Sequence, residues 1–419
     1  KTYSLSKPVS IAPLAIFRIA FGLMMAASGI RFLSKGWVEE LYLYPPFHFK
    51  YYGFDWVTVP GEGATYALFF AMILFAVMIA FGLFYRVATS GFFLTFTYIE
   101  FLDKSTYLNH YYFVSLVAGI MIFLPAARNY SLDSLFWPSK RLWRVPRWTI
   151  DILKFQLATV YIMAAIAKMN PDWLLDAMPL ANWLKHHIDL PLIGDLFRHK
   201  ETAYAFSWFG MIYDLTIPFF LLWKKSRKLA YVAVVVFHTL TAILFPIGMF
   251  PYVMIVATLV FFSEEFHELL LTPIRKRFGY ETNPPKFNKL KLGVVVIALY
   301  AVVQVAYPFR YLAYPGDLFW TEQEFRFGWR VMLIEKAGYA QFRLRDANTG
   351  NEMLIDNGDF LTPFQEKQMA TQPDFVLEFA HYLRDTFRDS TVTSTNAKIS
   401  FSEPEVYASS YVRLNGKSG

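Results

Sequence analysis

The feature that most constrains this chain is a series of long apolar runs, separated by short polar or aromatic segments. A helix needs about 20 apolar residues to cross the hydrocarbon core of a bilayer. The sequence therefore predicts an all-α polytopic membrane domain of about nine transmembrane helices within residues 1–310. The runs that reach or approach the required length lie at about 11–33, 64–85, 87–102, 109–125, 149–168, 202–223, 229–246, 248–263 and 291–309.

Composition narrows the class of protein further. Of the 419 residues, 55% are hydrophobic and only 17% are charged. Intrinsic disorder requires the opposite balance, so it is excluded. The net charge of +7 comes from basic residues in short clusters between the apolar runs, which is the pattern of membrane topology signals and not that of a nucleic-acid-binding face. The absence of cysteine excludes disulfides and thiolate chemistry.

The basic clusters predict an orientation in the membrane. They follow the fourth, sixth and eighth runs, as in KKSRK at 224–228, and the last cluster includes Lys286 and Lys289. Under the positive-inside rule these loops are cytoplasmic, so the N-terminus is predicted to be cytoplasmic as well. Everything after the ninth run is then predicted on the extracytoplasmic or lumenal side. The aromatic-rich segments 34–63 and 169–201 are predicted to be interfacial caps on that side.

From about residue 311 the composition changes and predicts a small α+β domain on the outer side over residues 311–419. Alternating and β-rich patterns predict strands, and an apolar stripe of Phe375, Phe379 and Leu383 predicts a helix. The predicted strands lie at 326–334 (RFGWRVMLI), 340–346 and 406–414, the predicted turn at 348–351, and the predicted helix at 373–387.

Ionisable residues inside a membrane span are costly, so each is a candidate for function. Lys168 ends the fifth run, and two interpretations are open. The lysine either snorkels to the interface or is a desolvated neutral amine that acts as a general base. Asn109 and His110 open the fourth run, either as ordinary interfacial residues or as a pair that binds or polarises a ligand. Lys168 and the Asn109–His110 pair are predicted to lie at the same outer membrane face.

Two further polar residues lie within predicted spans. His238 is either a buried neutral histidine bonded to a neighbouring helix or a site histidine. Asp214 is predicted to form a structural ion pair with Arg18 of the first run, with a proton-relay carboxylate as the alternative. Zinc-protease, serine-hydrolase and Walker A motifs are absent, and only two of the 8 histidines are adjacent, so no metal site is predicted.

Three stretches around these residues resemble vitamin K-dependent γ-glutamyl carboxylases. FRFGWRVML (325–333) resembles part of the outer-face domain of that family. The three stretches are LDKSTYLNHYYFVSLVAGIMIFLP (102–125), VYIMAAIAKMNPDWL (160–174) and FHTLTAILFPIGMFPYVM (237–254).

The resemblance implies an integral membrane enzyme that oxidises reduced vitamin K, phylloquinol or menaquinol, with O2 to the 2,3-epoxide. That reaction would drive CO2-dependent γ-carboxylation of a glutamate-containing peptide or protein. The resemblance implies Lys168 as the catalytic base and His110 as a catalytic histidine. The cofactor-binding residues that it implies are Asn109, Tyr161, Tyr107 and His238.

The chain also departs from the animal members of that family. It is much shorter, and the polar run that follows the matched His238 is replaced here by Thr239–Ile243 (TLTAI). The quinol half-reaction is therefore better supported than carboxylation. Two alternatives stay open: a vitamin K quinol epoxidase with a different or lost acceptor, and a non-enzymatic membrane scaffold or lipid-binding protein of the same fold.

Overall fold

Nine helices, one in each predicted run, form the membrane domain of the computed structural model, which describes residues 4–279, 291–394 and 397–418. Six of these segments are long and apolar enough to cross a membrane, and the helices at Asn109–Phe123 and Phe250–Phe261 are shorter apolar ones. The helices are α1 (Ala12–Ser34), α2 (Glu62–Phe81), α3 (Tyr85–Phe101), α4 (Asn109–Phe123), α5 (Trp148–Lys168), α6 (Lys200–Leu222), α7 (Arg227–Leu244), α8 (Phe250–Ala257) and, after the amphipathic α9 (Glu264–Arg275), α10 (Lys291–Ala306).

Shorter elements complete this domain. Strands β1 (Pro8–Ser10) and β2 (Arg144–Pro146) pair antiparallel and tie the chain before α1 to the chain before α5. The sequence did not predict this small sheet, because three-residue strands carry no periodic signal. Lys286 and Lys289, used above for the orientation, lie outside the described residues. Single helical turns occur at Leu132–Phe136, Pro171–Leu174, Leu180–Trp183 and Leu318–Thr321, and 3-10 turns extend α8 (Thr258–Phe261) and α10 (Tyr307–Ala313).

Close contact between α1 and α2 depends on small residues. A Cβ added at Gly22 would lie 2.4 Å from the Ala80 nitrogen and 2.6 Å from the Ala76 oxygen, so the two backbones touch at this point. Helices in lipid associate largely through such packing of small residues, because lipid tails are as apolar as leucine.

Replacing Gly22 with alanine is therefore expected to destabilise the protein by about 1–3 kcal/mol, since neither helix backbone can yield cheaply. Gly63 in the first turn of α2 is the matched control, because a Cβ there meets nothing within 4 Å. Gly63→Ala is expected to change the free energy of unfolding by less than about 0.5 kcal/mol. Thermal unfolding of both variants in the same detergent measures the difference, and equal losses would contradict the packing argument.

The C-terminal part of the chain forms the predicted small α+β domain, which is called the outer domain below after its predicted side of the membrane. Its antiparallel sheet has the order Glu352–Leu354, Lys336–Asp346, Pro404–Leu414 and Lys417–Ser418. The helix Pro373–Phe387 packs against it with Phe375, Phe379 and Leu383 buried, as the apolar stripe predicted. The elements are β3 (Lys336–Asp346), β4 (Glu352–Leu354), α11 (Pro363–Met369), α12 (Pro373–Phe387), the hairpin β5 (Ser390–Ser394) and β6 (Ala397–Phe401), β7 (Pro404–Leu414) and β8 (Lys417–Ser418).

The predicted strand at 326–334 is wrong. The backbone is left-handed at Phe327, Trp329 and Met332, with φ of 58, 57 and 53°. An extended strand cannot contain such residues. The rings of Phe327 and Trp329 lie 5.0 and 4.8 Å from that of Tyr112 in α4. The alternation of large apolar residues in this segment therefore reflects packing onto the membrane helices and not pairing in a sheet.

The outer domain is joined to the membrane domain by the loop between α1 and α2. Phe49 of this loop is buried in the outer-domain core, and its ring stacks 4.4 Å from that of Phe375. Lys104, just after α3, forms ion pairs of 3.0 and 2.9 Å with Asp374 and Glu378 of α12. The aromatic segment predicted as an interfacial cap thus also supplies part of the outer-domain core.

Asp103 is a buried carboxyl at this junction. It accepts hydrogen bonds from the backbone N–H of Ser105 at 2.7 Å and from Nε2 of Gln365 in α11 at 2.7 Å. Burial raises the pKa of Asp103 to about 6, although these hydrogen bonds oppose the shift. The folded protein therefore holds a proton on this group more tightly than the unfolded chain does.

Burying the charged Asp103 carboxylate lowers the free energy of unfolding, and this loss of stability is fully present above pH 6. It falls as the pH drops toward 4 and vanishes below the pKa that Asp103 has in the unfolded chain. Lowering the pH from 7 to 5 is therefore expected to reduce this cost by roughly 1 kcal/mol. Other carboxyls titrate as well, so the measurement is the difference between the wild type and Asp103→Asn in thermal unfolding across this pH range. Asp103→Asn is expected to lack the gain in stability that the wild type shows on going from pH 7 to pH 5. If the two proteins changed in stability by the same amount over this range, the predicted role of Asp103 would be wrong.

Candidate active site at the outer end of the membrane helices

A cavity of about 100 Å³ lies among the outer halves of α5, α6, α7 and α8. Its walls are mostly aromatic and aliphatic, and Val331 and Met332 of the segment before β3 close it from the outer domain. Ligand pockets commonly combine such an apolar lining with a few convergent polar groups. The polar groups here are Lys168, Asp214, Tyr161, His238 and Thr241.

Lys168 and Asp214 form a buried ion pair at one side of this cavity. Lys168 is the last residue of α5, and its Nζ lies 2.8 Å from Oδ2 of Asp214 in α6. The two residues are 7% and 5% exposed. Lys168 therefore does not snorkel to the interface. The lysine instead lies in a buried site beside the Asp214 carboxylate.

The turn after α5 holds the amine in place. Asn170 caps the next turn, with its Oδ1 accepting the backbone N–H of Trp173 at 2.9 Å, and Pro171 begins that turn. Trp173 is thereby brought back over the end of α5, where its ring lies 5.5 Å from Nζ of Lys168. Its indole N–H donates to the Ser207 carbonyl at 2.9 Å, so the ring is fixed from α6.

The predicted ion pair between Arg18 and Asp214 is wrong. Arg18 lies at the opposite end of the helix bundle and is fully buried. Its guanidinium donates to backbone carbonyls at the ends of α2 and after α4, those of Ile79, Ala80, Ala126 and Tyr130. Carbonyls at helix C-termini can satisfy a guanidinium without any carboxylate. Hydrophobic runs alone do not say which helix ends meet.

Tyr161 and His238 form a second polar pair in the cavity. The Tyr161 hydroxyl lies 2.9 Å from Nε2 of His238, and both side chains are buried. This contact fits the interpretation of His238 as a buried histidine bonded to a neighbouring helix. In the part of the chain that the structure describes, Nδ1 of His238 has no hydrogen-bond partner. Tyr161 lies seven residues before Lys168 in α5, about 10 Å along the helix.

The other predicted site residues lie near the cavity but do not line it. The buried His110 ring is 6.0 Å from the ring of Phe250, which is itself 5.9 Å from the His238 ring, so Phe250 separates the two histidines. Asn109 donates to the Arg330 carbonyl at 3.0 Å and accepts from the Tyr107 hydroxyl at 3.1 Å. Asn109 and Tyr107 thus hold the segment that closes the cavity.

A second cavity of about 380 Å³ lies on the other flank of α5, against the outer domain. Met163, Ile166 and Ala167 line it, whereas Tyr161, Ala164 and Lys168 line the first cavity. The outer end of α5 therefore separates the two cavities. The segment 328–332 contributes to both, since Gly328 and Arg330 line the second and Val331 and Met332 line the first.

Arg330 is the distinctive group of the second cavity. It is 6% exposed, its Nη2 donates to the Pro308 carbonyl at 3.1 Å, and its guanidinium carbon lies 4.4 Å from the Tyr311 ring centre. Among the described residues it forms no ion pair. Lys417, also in this lining, is paired with Asp172 at 2.8 Å and Asp176 at 3.0 Å. Arg330 is therefore the cation of this cavity that can accept an anionic ligand.

Sequence reasoning missed three of these features. It did not pair Lys168 with Asp214, and it did not single out Arg330 within a segment predicted as a strand. It also passed over Glu100 in α3, whose Oε2 accepts from the Ser115 hydroxyl at 2.9 Å while its buried Oε1 has no partner among the described groups. An acidic residue inside an apolar run was the available signal for Glu100.

The fold and the cavity define a multi-pass membrane protein with a buried, mostly apolar site closed by an outer domain. Residues 6–266 match the HTTM domain, and residues 289–419 match the family described as vitamin K-dependent gamma-carboxylase, lumenal domain. The chain belongs to the vitamin K-dependent γ-glutamyl carboxylase family. No solved structure matches it.

Proposed function

We propose that this protein is a membrane enzyme that oxidises reduced vitamin K with O2 to the 2,3-epoxide and couples this to CO2-dependent γ-carboxylation of peptidyl glutamate. The observation that carries the proposal is the buried Lys168–Asp214 pair beside an apolar cavity, in a chain of this family. A proton acceptor kept away from water is what the first step of such chemistry requires.

The residues of the first cavity suit reduced vitamin K. Its aromatic and aliphatic walls match the apolar character of a fused-ring quinol and its tail, and a volume of about 100 Å³ requires the walls to open for the rings to enter. Four of its five polar groups form two separate pairs. Nδ1 of His238 is buried and has no hydrogen-bond partner among the described residues, so a quinol hydroxyl that reached it as the walls opened would satisfy it. When bound, reduced vitamin K supplies the hydroquinone whose oxidation by O2 drives removal of a proton from the glutamate γ-carbon.

We assign the proton-accepting role to Lys168 together with Asp214. Nζ of Lys168 and Oδ2 of Asp214 lie 2.8 Å apart in a buried site, so a proton taken from a quinol hydroxyl by either group would be held between the two. Asp214 also fixes the amine against the cavity wall. Tyr161 and His238 are proposed to orient the quinol ring, since they hold the other polar position of the cavity.

His110, Asn109 and Tyr107 have less direct roles in this proposal. His110 is proposed as the second catalytic side chain, and Phe250 must move for its ring to reach the cavity. Asn109 and Tyr107 are proposed to act on quinol binding by holding the segment that carries Val331 and Met332. That segment excludes water, which would otherwise quench both a strong base and a carbanion.

The second cavity supports the glutamate half of the proposal. The buried Arg330 guanidinium has no counter-charge among the residues that the structure describes, which favours a carboxylate ligand. The charge-assisted hydrogen bonds that it can form are about twice as strong as neutral ones. Arg330 is therefore proposed to hold the γ-carboxylate of the peptide. Since the basic clusters predict a cytoplasmic N-terminus, we propose that the peptide arrives from the extracytoplasmic or lumenal side.

The test supplies purified protein in lipid with reduced vitamin K, O2, labelled bicarbonate and a short glutamate peptide. Phylloquinol and menaquinol are assayed in parallel, and epoxide and incorporated label are measured separately. Both products together are the expected result. Epoxide without label would select a quinol epoxidase with another acceptor. If folded protein formed neither epoxide nor labelled peptide, the proposal would be wrong. The alternative of a non-enzymatic membrane scaffold would then stand.

A further inference from the structure

A third cavity, of about 320 Å³, lies at the end of the helix bundle opposite the candidate active site. It is formed where α2 ends, α3 begins and α4 ends, together with the chain that follows α4. Three basic residues, Arg86, Arg128 and Lys140, line it from these separate segments. Arg128 and Lys140 belong to the basic cluster that follows the fourth apolar run, and Arg86 lies in the first turn of α3.

The charge of this cavity is positive and largely uncompensated. Its one carboxylate, Asp133, is already used, because its two oxygens accept the backbone N–H groups of Phe84 at 2.7 Å and Tyr85 at 2.9 Å. It thereby caps α3 and balances the positive end of that helix. Within the described residues, the three basic side chains form no ion pair; Arg86 and Arg128 contact only backbone carbonyls, at 3.3 and 3.5 Å.

Large apolar side chains surround these cations. Phe84, Val87 and Trp137 line the cavity, and all three are exposed. Phe123 and Phe136, close by in sequence, are exposed as well. A free anion such as phosphate has no apolar part that could contact these side chains. A ligand with an anionic head and apolar chains matches both parts.

We propose that this cavity binds the headgroup of an anionic phospholipid. The phosphodiester would lie among Arg86, Arg128 and Lys140, and the acyl chains would run along the exposed aromatic rim. The position suits this ligand, because the ends of apolar helices lie at the headgroup level and basic pockets between membrane helices bind anionic lipids. The inference does not depend on the proposed enzymatic activity.

The test measures which lipid the full chain retains. The protein is reconstituted in nanodiscs of phosphatidylcholine with a minor fraction of phosphatidylglycerol, extracted gently, and its bound lipids are quantified by native mass spectrometry. The expected result is retention of phosphatidylglycerol well above its share of the bilayer. Retention in proportion to the bilayer composition would overturn the proposal.

Variants locate the site. Replacing Arg86, Arg128 and Lys140 together with glutamine is expected to weaken retention of phosphatidylglycerol about 100-fold, because each cation near an anionic lipid contributes roughly a factor of five. The matched control changes Lys224, Lys225 and Lys228 to glutamine, which removes the same charge from another basic loop. Equal losses in both triple variants would overturn the proposal, since they would show attraction to total charge.

A second measurement separates the lipid from free phosphate and from misfolding. Thermal unfolding is followed in detergent with added short-chain phosphatidylglycerol, phosphatidylcholine or inorganic phosphate. The wild type is expected to gain stability with phosphatidylglycerol alone, and the cavity variant is expected to unfold like the wild type in phosphatidylcholine. Stabilisation by inorganic phosphate to the same extent would overturn the assignment to a lipid.

Discussion

Replacing Lys168 with methionine is expected to reduce epoxide formation by about 10²–10⁴-fold, the usual contribution of a positioned general base. Methionine fills nearly the same space and removes only the amine. The variant is also expected to lose stability, because Asp214 is left buried without its partner. Breaking a buried ion pair in this way typically costs about 3–5 kcal/mol. Loss of activity in this variant alone is therefore ambiguous.

The double variant Lys168→Met, Asp214→Leu resolves that ambiguity. Replacing both members of a buried pair with apolar residues of similar size is often neutral or stabilising. The double variant is thus expected to regain the thermal stability of the wild type, while its epoxide formation stays about 10²–10⁴-fold below that of the wild type. Lys185→Met is the matched control, since this lysine is exposed and does not line the cavity. It is expected to leave the rate of epoxide formation unchanged.

Wild-type epoxide formation by the stable double variant would remove Lys168 and Asp214 from the proposed chemistry. Asp214→Asn adds a graded case, because the amide keeps a hydrogen-bond acceptor beside the amine but cannot take up a proton. A large loss of rate in Asp214→Asn would indicate that the pair accepts the proton as a unit. A wild-type rate would assign that role to Lys168 alone.

The helices of this chain were predictable from sequence because the bilayer imposes the same length and polarity on each of them. Each predicted run contains a helix, and the apolar stripe of α12 fixed its buried face. The segment 326–334 shows where this reasoning ends. Its large apolar residues alternate in the sequence, but the backbone there is not extended. Left-handed residues reverse the chain so that Phe327 and Trp329 both pack against α4.

The candidate site was predictable only in part. Lys168, Tyr161 and His238 could be named from their sequence stretches, and the structure brings all three to one cavity. Their partners could not be named, because helix order does not determine which helices touch. Asp214 was therefore paired with Arg18 when its true partner lies on α5. Asn109 and Tyr107 were matched to the cofactor, but their contacts are with the segment that closes the cavity.

The two cavities give the site a division that the sequence did not show. One is mostly apolar and contains the Lys168–Asp214 pair, and the other contains the buried guanidinium of Arg330, which forms no ion pair in the described part of the chain. Only the end of α5 and the segment 328–332 lie between them. A quinol and the carboxylate of a glutamate could thus be bound on the two sides of this boundary, and the glutamate γ-carbon must reach past it to the quinol for the proton to be removed. This arrangement predicts that the two half-reactions respond separately to mutation.

Arg330→Met is the variant that tests this division. It is expected to raise the KM for the glutamate peptide by at least about 10–100-fold, because a charge-assisted hydrogen bond to a carboxylate is worth roughly 1.5–3 kcal/mol. Epoxide formation at saturating quinol is expected to fall far less, since Arg330 does not line the cavity of Lys168. The measurement compares the two products over a range of peptide concentrations.

Lys417→Met is the matched control for Arg330→Met. Lys417 lines the same cavity, but Asp172 and Asp176 already neutralise its charge, so its removal is expected to leave the peptide KM within a few-fold of the wild type. Arg330→Lys should recover part of the affinity, because it restores the charge without the planar fork of the guanidinium. If Arg330→Met lowered epoxide and label equally at every peptide concentration, Arg330 would act by holding the closing segment. The second cavity would then have no separate role in binding glutamate.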